Sequence, residues 1–222
     1  MVILKTEELF DLEHTAAKPL LEGAEYPHEV LPKIKSFIIE LSKTLDESYE
    51  EISEGVFAAK DARIAESAYI EAPAIIGHGA EIRHSAFIRG SVIVGDRAVV
   101  GNSTEIKNSI VFDEVQIPHY NYVGDSILGY RSHLGAGAIA SNFRLDKQTV
   151  KINENGEKFD TGLRKFGVML GDFAEVGCNS VLCPGCVIGK RTLVYPLSRV
   201  IGVVRENMIY KDGKTVARKD FD

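Results

Sequence analysis

The chain has 222 residues, 45% of them hydrophobic, and a formal net charge of −6. These values are ordinary for one globular domain with small appendages, and an acidic balance without a basic run disfavours nucleic acid as a partner. No apolar stretch reaches the roughly 18 residues of a membrane span, and charged Lys5, Glu7 and Glu8 disfavour a signal peptide, so no membrane partner and a cytoplasmic location are expected.

Residues 1–55 are predicted to form a helical cap and a linker. Apolar residues recur at helix-like spacing between His28 and Leu45, which indicates a helix that lies on, or caps, the first repeat unit. The acidic stretch between Asp46 and Glu54 is interpreted as a solvated linker rather than a binding surface.

A six-residue repeat dominates the next part of the chain. Six is the period of neither a helix nor an ordinary strand, and it is typical of a parallel β-helix in which three hexapeptides form one coil. Inward residues would then stack in aliphatic columns, with a small residue four places later at each corner. The predicted inward residues are Ile64, Ile70, Ile76, Ile82, Ile88, Val94, Val100, Ile106 and Phe112.

The repeat domain is predicted to span residues 56–204, and its irregularities are informative. After Phe112 the step changes to five residues and back to six, which predicts that Pro118 to Tyr122 bulge from the coil. Polar residues break the pattern at about 143–165, and six-residue spacing resumes from Leu170 to Val200. This break predicts an inserted loop, a common location for function.

The last segment, residues 205–222, is predicted to be a hairpin or tail. Asp212-Gly213 stands between β-prone residues, a pattern that favours a two-residue hairpin turn. The hairpin is expected to close the far end of the β-helix.

Two motifs point to a family. The sequences HYNYVGD at 119–125 and LGAGAIASN at 134–142 resemble the acetyltransferase domain of bifunctional glucosamine-1-phosphate N-acetyltransferase/UDP-N-acetylglucosamine pyrophosphorylases, with similarity over roughly residues 60–204. The insertion is most similar to the archaeal sugar-1-phosphate branch. The resemblance implies a left-handed β-helix, a homotrimer with sites between subunits, and acetyl-CoA as co-substrate. The family's nucleotidyltransferase domain is not expected in this chain.

The resemblance also implies an acceptor site. Acetyl transfer to an amine needs a base, and an imidazole titrates close enough to neutral pH to serve, with positioned bases contributing roughly 10²- to 10⁴-fold. The family's catalytic histidine falls on His119, and Asn142 accompanies it. Arg89 and Lys107 are 18 residues apart, hence in adjacent coils on one face, and match the residues that hold the substrate phosphate.

The resemblance implies further contacts with the acceptor, and at some of these positions this sequence has a different residue from the family. Tyr122 matches a substrate-contacting tyrosine, and Lys151 matches a lysine of the insertion. Lys147 lies next to another family lysine position, which here is glutamine. His133 replaces an asparagine that contacts the sugar, so the identity of the acceptor sugar stays open.

The donor site is expected along the β-helix. The resemblance places acetyl-CoA near Ala136, Gly137 and Cys178, and then past Tyr195, where the family has smaller residues. Backbone amides around Gly137 could stabilise the developing oxyanion, although these small residues also suit corner packing, and both roles can hold together.

Cys183-Pro-Gly-Cys186 has the spacing of a redox motif or half a zinc site, but Cys186 falls on a packing position of the repeat. We expect reduced packing cysteines and no metal site, since the histidines also lack the close spacing found in γ-type carbonic anhydrases.

The predicted function is an N-acetyltransferase for an amino-sugar 1-phosphate, with glucosamine 1-phosphate as first candidate. Two alternatives stay open. One is a hexapeptide acyltransferase with another acceptor or acyl group, and the other is a non-catalytic module that binds sugar nucleotides.

Overall fold

The computed structural model describes residues 4–217, which form a left-handed parallel β-helix with an N-terminal helical segment, an inserted loop and a C-terminal hairpin. Each coil contributes one short strand to each of three sheets. The fold predicted from the six-residue repeat is confirmed.

The strands fall into sheets A, B and C. Within residues 4–217, sheet A contains Tyr49–Ser53, Val56–Ala59, Ala74–Ile76, Val92–Val94, Ser109–Val111, Ile127–Leu128, Val168–Leu170, Cys186–Ile188 and Val203–Val204. Sheet B contains Arg63–Ile64, Glu81–Ile82, Val99–Asn102, Gln116–His119, His133–Leu134, Glu175–Val176, Leu193–Val194, Met208–Lys211 and Lys214–Ala217. Sheet C contains Tyr69–Glu71, Phe87–Arg89, Glu105–Lys107, Tyr122–Gly124, Ile139–Ala140, Val181–Leu182 and Arg199–Val200.

Each sheet points one column of apolar side chains inward. In sheet C, Ile88 lies opposite Ile106, and Ile106 lies opposite Val123, all fully buried. Burying such a side chain stabilises the fold by roughly 1.5–3 kcal/mol, so the stacked columns form the core. Sheet A is also buried on its outer face, for example at Ile75 and Ile93, because the N-terminal segment covers it.

Coil length falls from 18 to 17 residues at Asn108. Corners carry a residue with positive φ, and Asn108 follows the corner residue Ser103 after five positions instead of six. The strand pairing agrees, because Val111 lies opposite Val94, 17 positions earlier. The predicted inward position of Phe112 is therefore wrong: Val111 takes it, and Phe112 packs at the corner.

The predicted bulge at Pro118 to Tyr122 is also wrong. Gln116–His119 is a regular strand with Ile117 buried inward. Asn121 then fills the small-residue corner position, where its Nδ2 donates to the carbonyl oxygens of Gly135 at 2.8 Å and Ala138 at 3.1 Å. The five-residue spacings between corner residues lie instead at the corner between sheets C and A, where they end at Asn108 and Asp125.

The N-terminal segment runs over sheet A. It contains helices α1 (Thr6–Leu9), α2 (Lys18–Leu21) and α3 (Ile34–Ser42), with 3₁₀ helices at Leu12–His14 and Pro27–Lys33. The predicted helix between His28 and Leu45 thus begins as a 3₁₀ helix, and Pro32, which lacks an amide donor, lies inside that part.

Helix α3 packs on strands Ala74–Ile76 and Val92–Val94. Of the two predicted placements, it lies on the coils rather than capping the first. Farther along, Asp172 accepts a hydrogen bond from the Asp11 amide at 2.7 Å, and Phe10 packs against Phe112 with ring centroids 5.1 Å apart.

The insertion leaves and re-enters at the corner between sheets C and A. Its strands Lys151–Glu154 and Glu157–Asp160 form an antiparallel hairpin that lies against later coils. The approach is close: a Cβ on Gly202 would lie 2.1 Å from the carbonyl oxygen of Asn153, so only glycine fits there.

At the other end, Asp212 and Gly213 form the predicted turn of a hairpin that extends sheet B. Among residues 4–217, no helix has the length and apolar character to cross a bilayer.

Candidate active site

Two groups of residues, each of which includes predicted site residues, lie at opposite edges of sheet C. The first, called here the His119 column, is His119, Ala136, Cys178 and Pro196 at the corner between sheets B and C. The second, called the Asp125 cluster, is Lys107, Tyr122, Asp125, Asn142 and Lys165 at the corner between sheets C and A.

Backbone hydrogen bonds between successive coils define the His119 column. The Gly137 amide donates to the carbonyl of His119 at 3.0 Å, and the Asn179 amide donates to that of Ala136 at 2.8 Å. The Leu197 amide donates to the carbonyl of Cys178 at 3.0 Å. One column residue therefore stands in each coil, at the roughly 4.8 Å spacing of neighbouring strands.

The His119 side chain is exposed at the end of its strand. Its backbone is fixed, because the His119 amide donates to Oδ1 of Asn121 at 3.1 Å. Within residues 4–217, the imidazole has no hydrogen-bonding partner and the Ala136 amide in the next coil has no acceptor. A base and an uncommitted N–H donor thus stand one coil apart.

The two glycines beside Ala136 have structural roles in the coil. The Gly135 amide donates to the carbonyl of Val176 at 2.7 Å, and the Gly137 amide is used by His119. Gly137 has φ of +71°, and a Cβ there would lie 2.3 Å from Oδ1 of Asn179. These two glycines therefore satisfy corner packing, and Ala136 retains the available amide.

Asp125 organises the second group. Its side chain is buried with 5% exposure, and its two carboxylate oxygens accept hydrogen bonds from Nδ2 of Asn108 at 2.8 Å and Nδ2 of Asn142. Asp125 and Asn108 are the corner residues of successive 17-residue coils. The shortened coils thus place a buried carboxylate where it can orient Asn142.

Tyr122 and Asn142 converge above Gly124. A Cβ at Gly124 would lie 2.6 Å from the Tyr122 hydroxyl and 2.5 Å from Nδ2 of Asn142, so this position requires glycine. Burial, together with the carboxylates of Glu105 and Asp125, raises the pKa of Tyr122, which keeps the hydroxyl protonated as a hydrogen-bond donor.

Lys107 faces a second lysine. Burial lowers the pKa of Lys107; Asp125 opposes this effect, while the positive charges of Lys165 and Arg89 add to it. Within the described part of the chain, neither Lys107 nor Lys165 forms an ion pair with a carboxylate, whereas Arg89 Nη1 lies 2.7 Å from Oε1 of Glu105. Two adjacent lysines without an ion-pair partner among the described residues favour a bound anion.

Sequence reasoning missed Lys165. It lies at the end of the insertion, where a bridge between Phe143 and Lys165 pins the two ends of the loop together. Its signal in the sequence was its place at the end of the polar segment 143–165, shortly before the strand Val168–Leu170 with which the coil resumes. The predicted pair Arg89 and Lys107 does lie in adjacent coils of sheet C.

Other predicted residues lie apart from the Asp125 cluster. Lys151 stands on the insertion hairpin, 3.8 Å from Asp160, and Lys147 is exposed at a turn with φ of +60°. His133 lies on sheet B, with Nδ1 2.8 Å from Oε2 of Glu175. Tyr195 borders the His119 column at its far end, where the Lys211 ammonium lies 5.2 Å from its ring centroid.

The cysteines of the CxxC motif are part of the coil. Cys186 is fully buried, with Sγ 3.0 Å from the carbonyl oxygen of Val200, and burial raises the pKa of its thiol. Burial also raises the pKa of Cys183. Both thiols are therefore held in their unreactive, protonated form.

The part of the chain that contains His119 and Asp125 is similar to known proteins. Residues 70–156 match the family model described as GMPPB C-terminal domain. A bifunctional sugar-1-phosphate nucleotidylyltransferase/acetyltransferase of Sulfurisphaera tokodaii is 36% identical over 40% of this chain and 22% of its own length. The bifunctional protein GlmU of Methanococcus vannielii is 33% identical over 50% of this chain and 27% of its own.

The family resemblance is confirmed. The matched segment spans only about a quarter of the length of these relatives, 22% and 27% in the two cases. Among solved structures, AntD, an N-acyltransferase from Bacillus cereus in complex with dTDP and coenzyme A, overlaps 73% of this chain and 84% of its own, with 18% identity and a TM-score of 0.41.

Proposed function

We propose that the protein is an N-acetyltransferase that moves acetyl from acetyl-CoA to the amine of an amino-sugar 1-phosphate, with glucosamine 1-phosphate as the first candidate. The observation that carries the proposal is an exposed imidazole at His119 one coil from the Ala136 amide, which has no acceptor among residues 4–217. The same fold also presents two neighbouring lysines, Lys107 and Lys165. The similarity to acetyltransferase-containing relatives supports it.

The Asp125 cluster is proposed to bind the acceptor. Lys107 and Lys165, which form no ion pair among the described residues, hold the phosphate as two cations, and Arg89 stands at the next coil of the same face. The Tyr122 hydroxyl and the Asn142 amide, which Asp125 orients, provide directed contacts for sugar hydroxyls. Lys147, Lys151 and His133 remain proposed contacts at the periphery of the acceptor.

The proposed reaction is direct transfer. The amine nitrogen attacks the thioester carbonyl carbon, a C–N bond forms, and the imidazole of His119 takes the amine proton. The carbonyl oxygen becomes an oxyanion that the Ala136 amide stabilises by a hydrogen bond. The C–S bond then breaks, and the leaving CoA thiolate takes up the proton that the imidazole of His119 removed from the amine, which restores the neutral imidazole.

The donor is proposed to follow the His119 column towards the C-terminal hairpin. Beyond Cys178 the column reaches an open cavity of about 630 Å³, whose lining includes Tyr195, Leu197, Arg199 and Lys211. Two cations and an aromatic ring suit the phosphates and the adenine at the far end of CoA. Tyr195 and Pro196 then border the path without closing it.

A homotrimer with sites between subunits is part of the proposal. The His119 column and the Asp125 cluster lie at opposite edges of sheet C, so neighbouring copies could bring one next to the other. Sheet C also exposes apolar residues on its outer surface, among them Tyr69, Ile139 and Val181, whereas the N-terminal segment covers sheet A. An exposed apolar face of this kind favours self-association. A cytoplasmic location, where acetyl-CoA is available, is likewise proposed.

The test is release of free CoA from acetyl-CoA in the presence of a panel of amino-sugar 1-phosphates. Release with glucosamine 1-phosphate and mass-spectrometric detection of its N-acetyl product would support the proposal. Release of CoA only with another amino-sugar 1-phosphate would identify that sugar, rather than glucosamine 1-phosphate, as the acceptor. If neither this panel nor a matching panel of nucleoside-diphosphate-linked amino sugars releases CoA, the proposed function is wrong, and a non-catalytic sugar-nucleotide-binding module takes its place.

A further inference from the structure

A cavity of about 400 Å³ adjoins the Asp125 cluster on the side of the N-terminal segment. Its apolar walls come from distant parts of the chain: Leu31 and Pro32 from the 3₁₀ helix Pro27–Lys33, and Phe143 and Leu163 from the two ends of the insertion. Phe143 keeps 39% of its surface exposed. The cavity thus exists only because the N-terminal segment and the insertion meet over one corner.

One end of the cavity is polar. Asn108 and Asp125 line it, and the Nδ2 group of Asn108 donates to the Leu31 carbonyl at 3.3 Å and to Oδ1 of Asp125 at 2.8 Å. Both amide hydrogens of Asn108 are therefore used. Its Oδ1 has no donor among residues 4–217, so it can accept a hydrogen bond from a ligand.

The rim of the cavity is cationic. Arg164 and Lys165 both line it, and neither forms an ion pair with a carboxylate in the described part of the chain. The Arg164 guanidinium donates a long hydrogen bond, 3.4 Å, to the carbonyl of Lys147. Lys165 is the lysine that neighbours Lys107, so Arg164 adds one cation to the lysine pair assigned to a single phosphate.

We propose that this cavity binds the nucleoside of a nucleoside-diphosphate-linked amino sugar, so that the acceptor is an amino-sugar 1-phosphate whose phosphate carries a further nucleotide. The inference rests on the proposed anion site and names its substrate class. A nucleobase has flat apolar faces for the walls and an N–H edge for Asn108, and the second phosphate meets Arg164. An alkyl chain would fill the walls but leave the Asn108 acceptor unpaired.

The test is calorimetric binding to the full chain in the presence of saturating CoA, which occupies the proposed donor path. The probes are pyrophosphate, UDP, dTDP, GDP and geranyl diphosphate. At least one nucleoside diphosphate should bind about tenfold more tightly than pyrophosphate, the gain expected when one base stacks on an aromatic side chain. Geranyl diphosphate should show no such gain.

Variants locate the binding. Phe143→Ala should abolish the gain of the nucleotide over pyrophosphate without weakening pyrophosphate itself, and Arg164→Gln should weaken both ligands about tenfold. Leu145→Ala, a fully exposed residue of the same insertion, and Lys158→Gln, an exposed lysine of its hairpin, are matched controls that should change neither. Leu163→Asn gives a second cavity variant if Phe143→Ala proves unstable.

Three results would overturn the inference: no nucleotide binding more tightly than pyrophosphate, a gain that survives both Phe143→Ala and Leu163→Asn, or tighter binding of geranyl diphosphate than of any nucleotide. CoA release separates this inference from the proposed function. Acetylation of a sugar 1-phosphate without nucleotide binding overturns the nucleoside site alone. Nucleotide binding without CoA release on any acceptor overturns the acetyltransferase alone.

Discussion

The two corners that bound sheet C use the same coil in different ways. At the His119 column, every coil contributes one residue in regular register, and the chemistry depends on what the coil leaves uncommitted: an exposed imidazole and the Ala136 amide. At the Asp125 cluster, shortened coils and an insertion bring charged side chains together around a buried carboxylate. Regular repeats thus supply a straight path, whereas irregular ones supply a shaped anion site.

Removing the imidazole should have the largest effect. His119→Ala should reduce turnover by roughly 10²- to 10⁴-fold, because the amine would lose its base, while the exposed position predicts an unchanged fold. Steady-state CoA release and thermal unfolding would measure the two properties. Turnover within twofold of the parent protein would remove the His119 column from the mechanism.

Removing one lysine of the pair should weaken acceptor binding. Lys165→Gln should raise the acceptor KM about tenfold or more, since it deletes a charge-assisted contact, with a smaller change in kcat. Lys158→Gln, on the insertion hairpin, is the matched control. A larger effect from Lys151→Gln than from Lys165→Gln would move the phosphate from the Asp125 cluster to the hairpin.

Blocking the His119 column should weaken the binding of acetyl-CoA but not that of the acceptor. Cys178→Phe places a large ring in the proposed path of the pantetheine arm and should raise the KM for acetyl-CoA about tenfold, leaving the acceptor KM unchanged. Cys178→Ser, which keeps the side chain small, should retain donor affinity. Equal changes in both KM values would show that the two corners are not separate binding regions.

The smallest expected effect concerns stability at mildly acidic pH. Burial lowers the pKa of His28, which stacks on Phe166 with ring centroids 5.5 Å apart. As the pH falls, the unfolded chain takes up this proton at about pH 6.5, whereas the folded protein takes it up only at a lower pH. Stability should therefore be full above that pH and fall below it as the unfolded state binds more protons.

His28→Phe should flatten this pH dependence. Thermal midpoints of the parent protein and the variant, compared at pH 7.5 and pH 5, measure the effect. An equal fall in both proteins would assign the pH dependence to other groups.

Sequence alone predicted the coils, the inward columns up to Ile106, the insertion and the terminal hairpin, because hydrophobic period and turn chemistry are local signals. It did not predict where the coil shortens. Isoleucine, valine and phenylalanine are equally apolar at 110–112, and only pairing with the previous coil shows that Val111, not Phe112, points inward.

The candidate site was predictable where it depends on single coils. The register of Arg89 with Lys107 followed from their spacing. His119, Ala136 and Cys178 came from the family resemblance, and the structure places them at one corner in successive coils. Lys165 was not predictable from spacing, because an irregular loop of more than 20 residues separates it from Asn142. Its place beside Lys107 depends on how the ends of that loop are pinned.

The course of the N-terminal segment has a consequence for unfolding. In a stack of repeats each coil touches only adjacent coils, so melting can begin at either end and spread. Here one segment contacts strands Ala74–Ile76 and Val92–Val94, then Phe112, and then Asp172. It ties together coils that would otherwise open independently, so hydrogen exchange along sheet A should report a single cooperative transition. Because these contacts join residues distant in sequence, we expect them to form more slowly than the pairing between neighbouring coils.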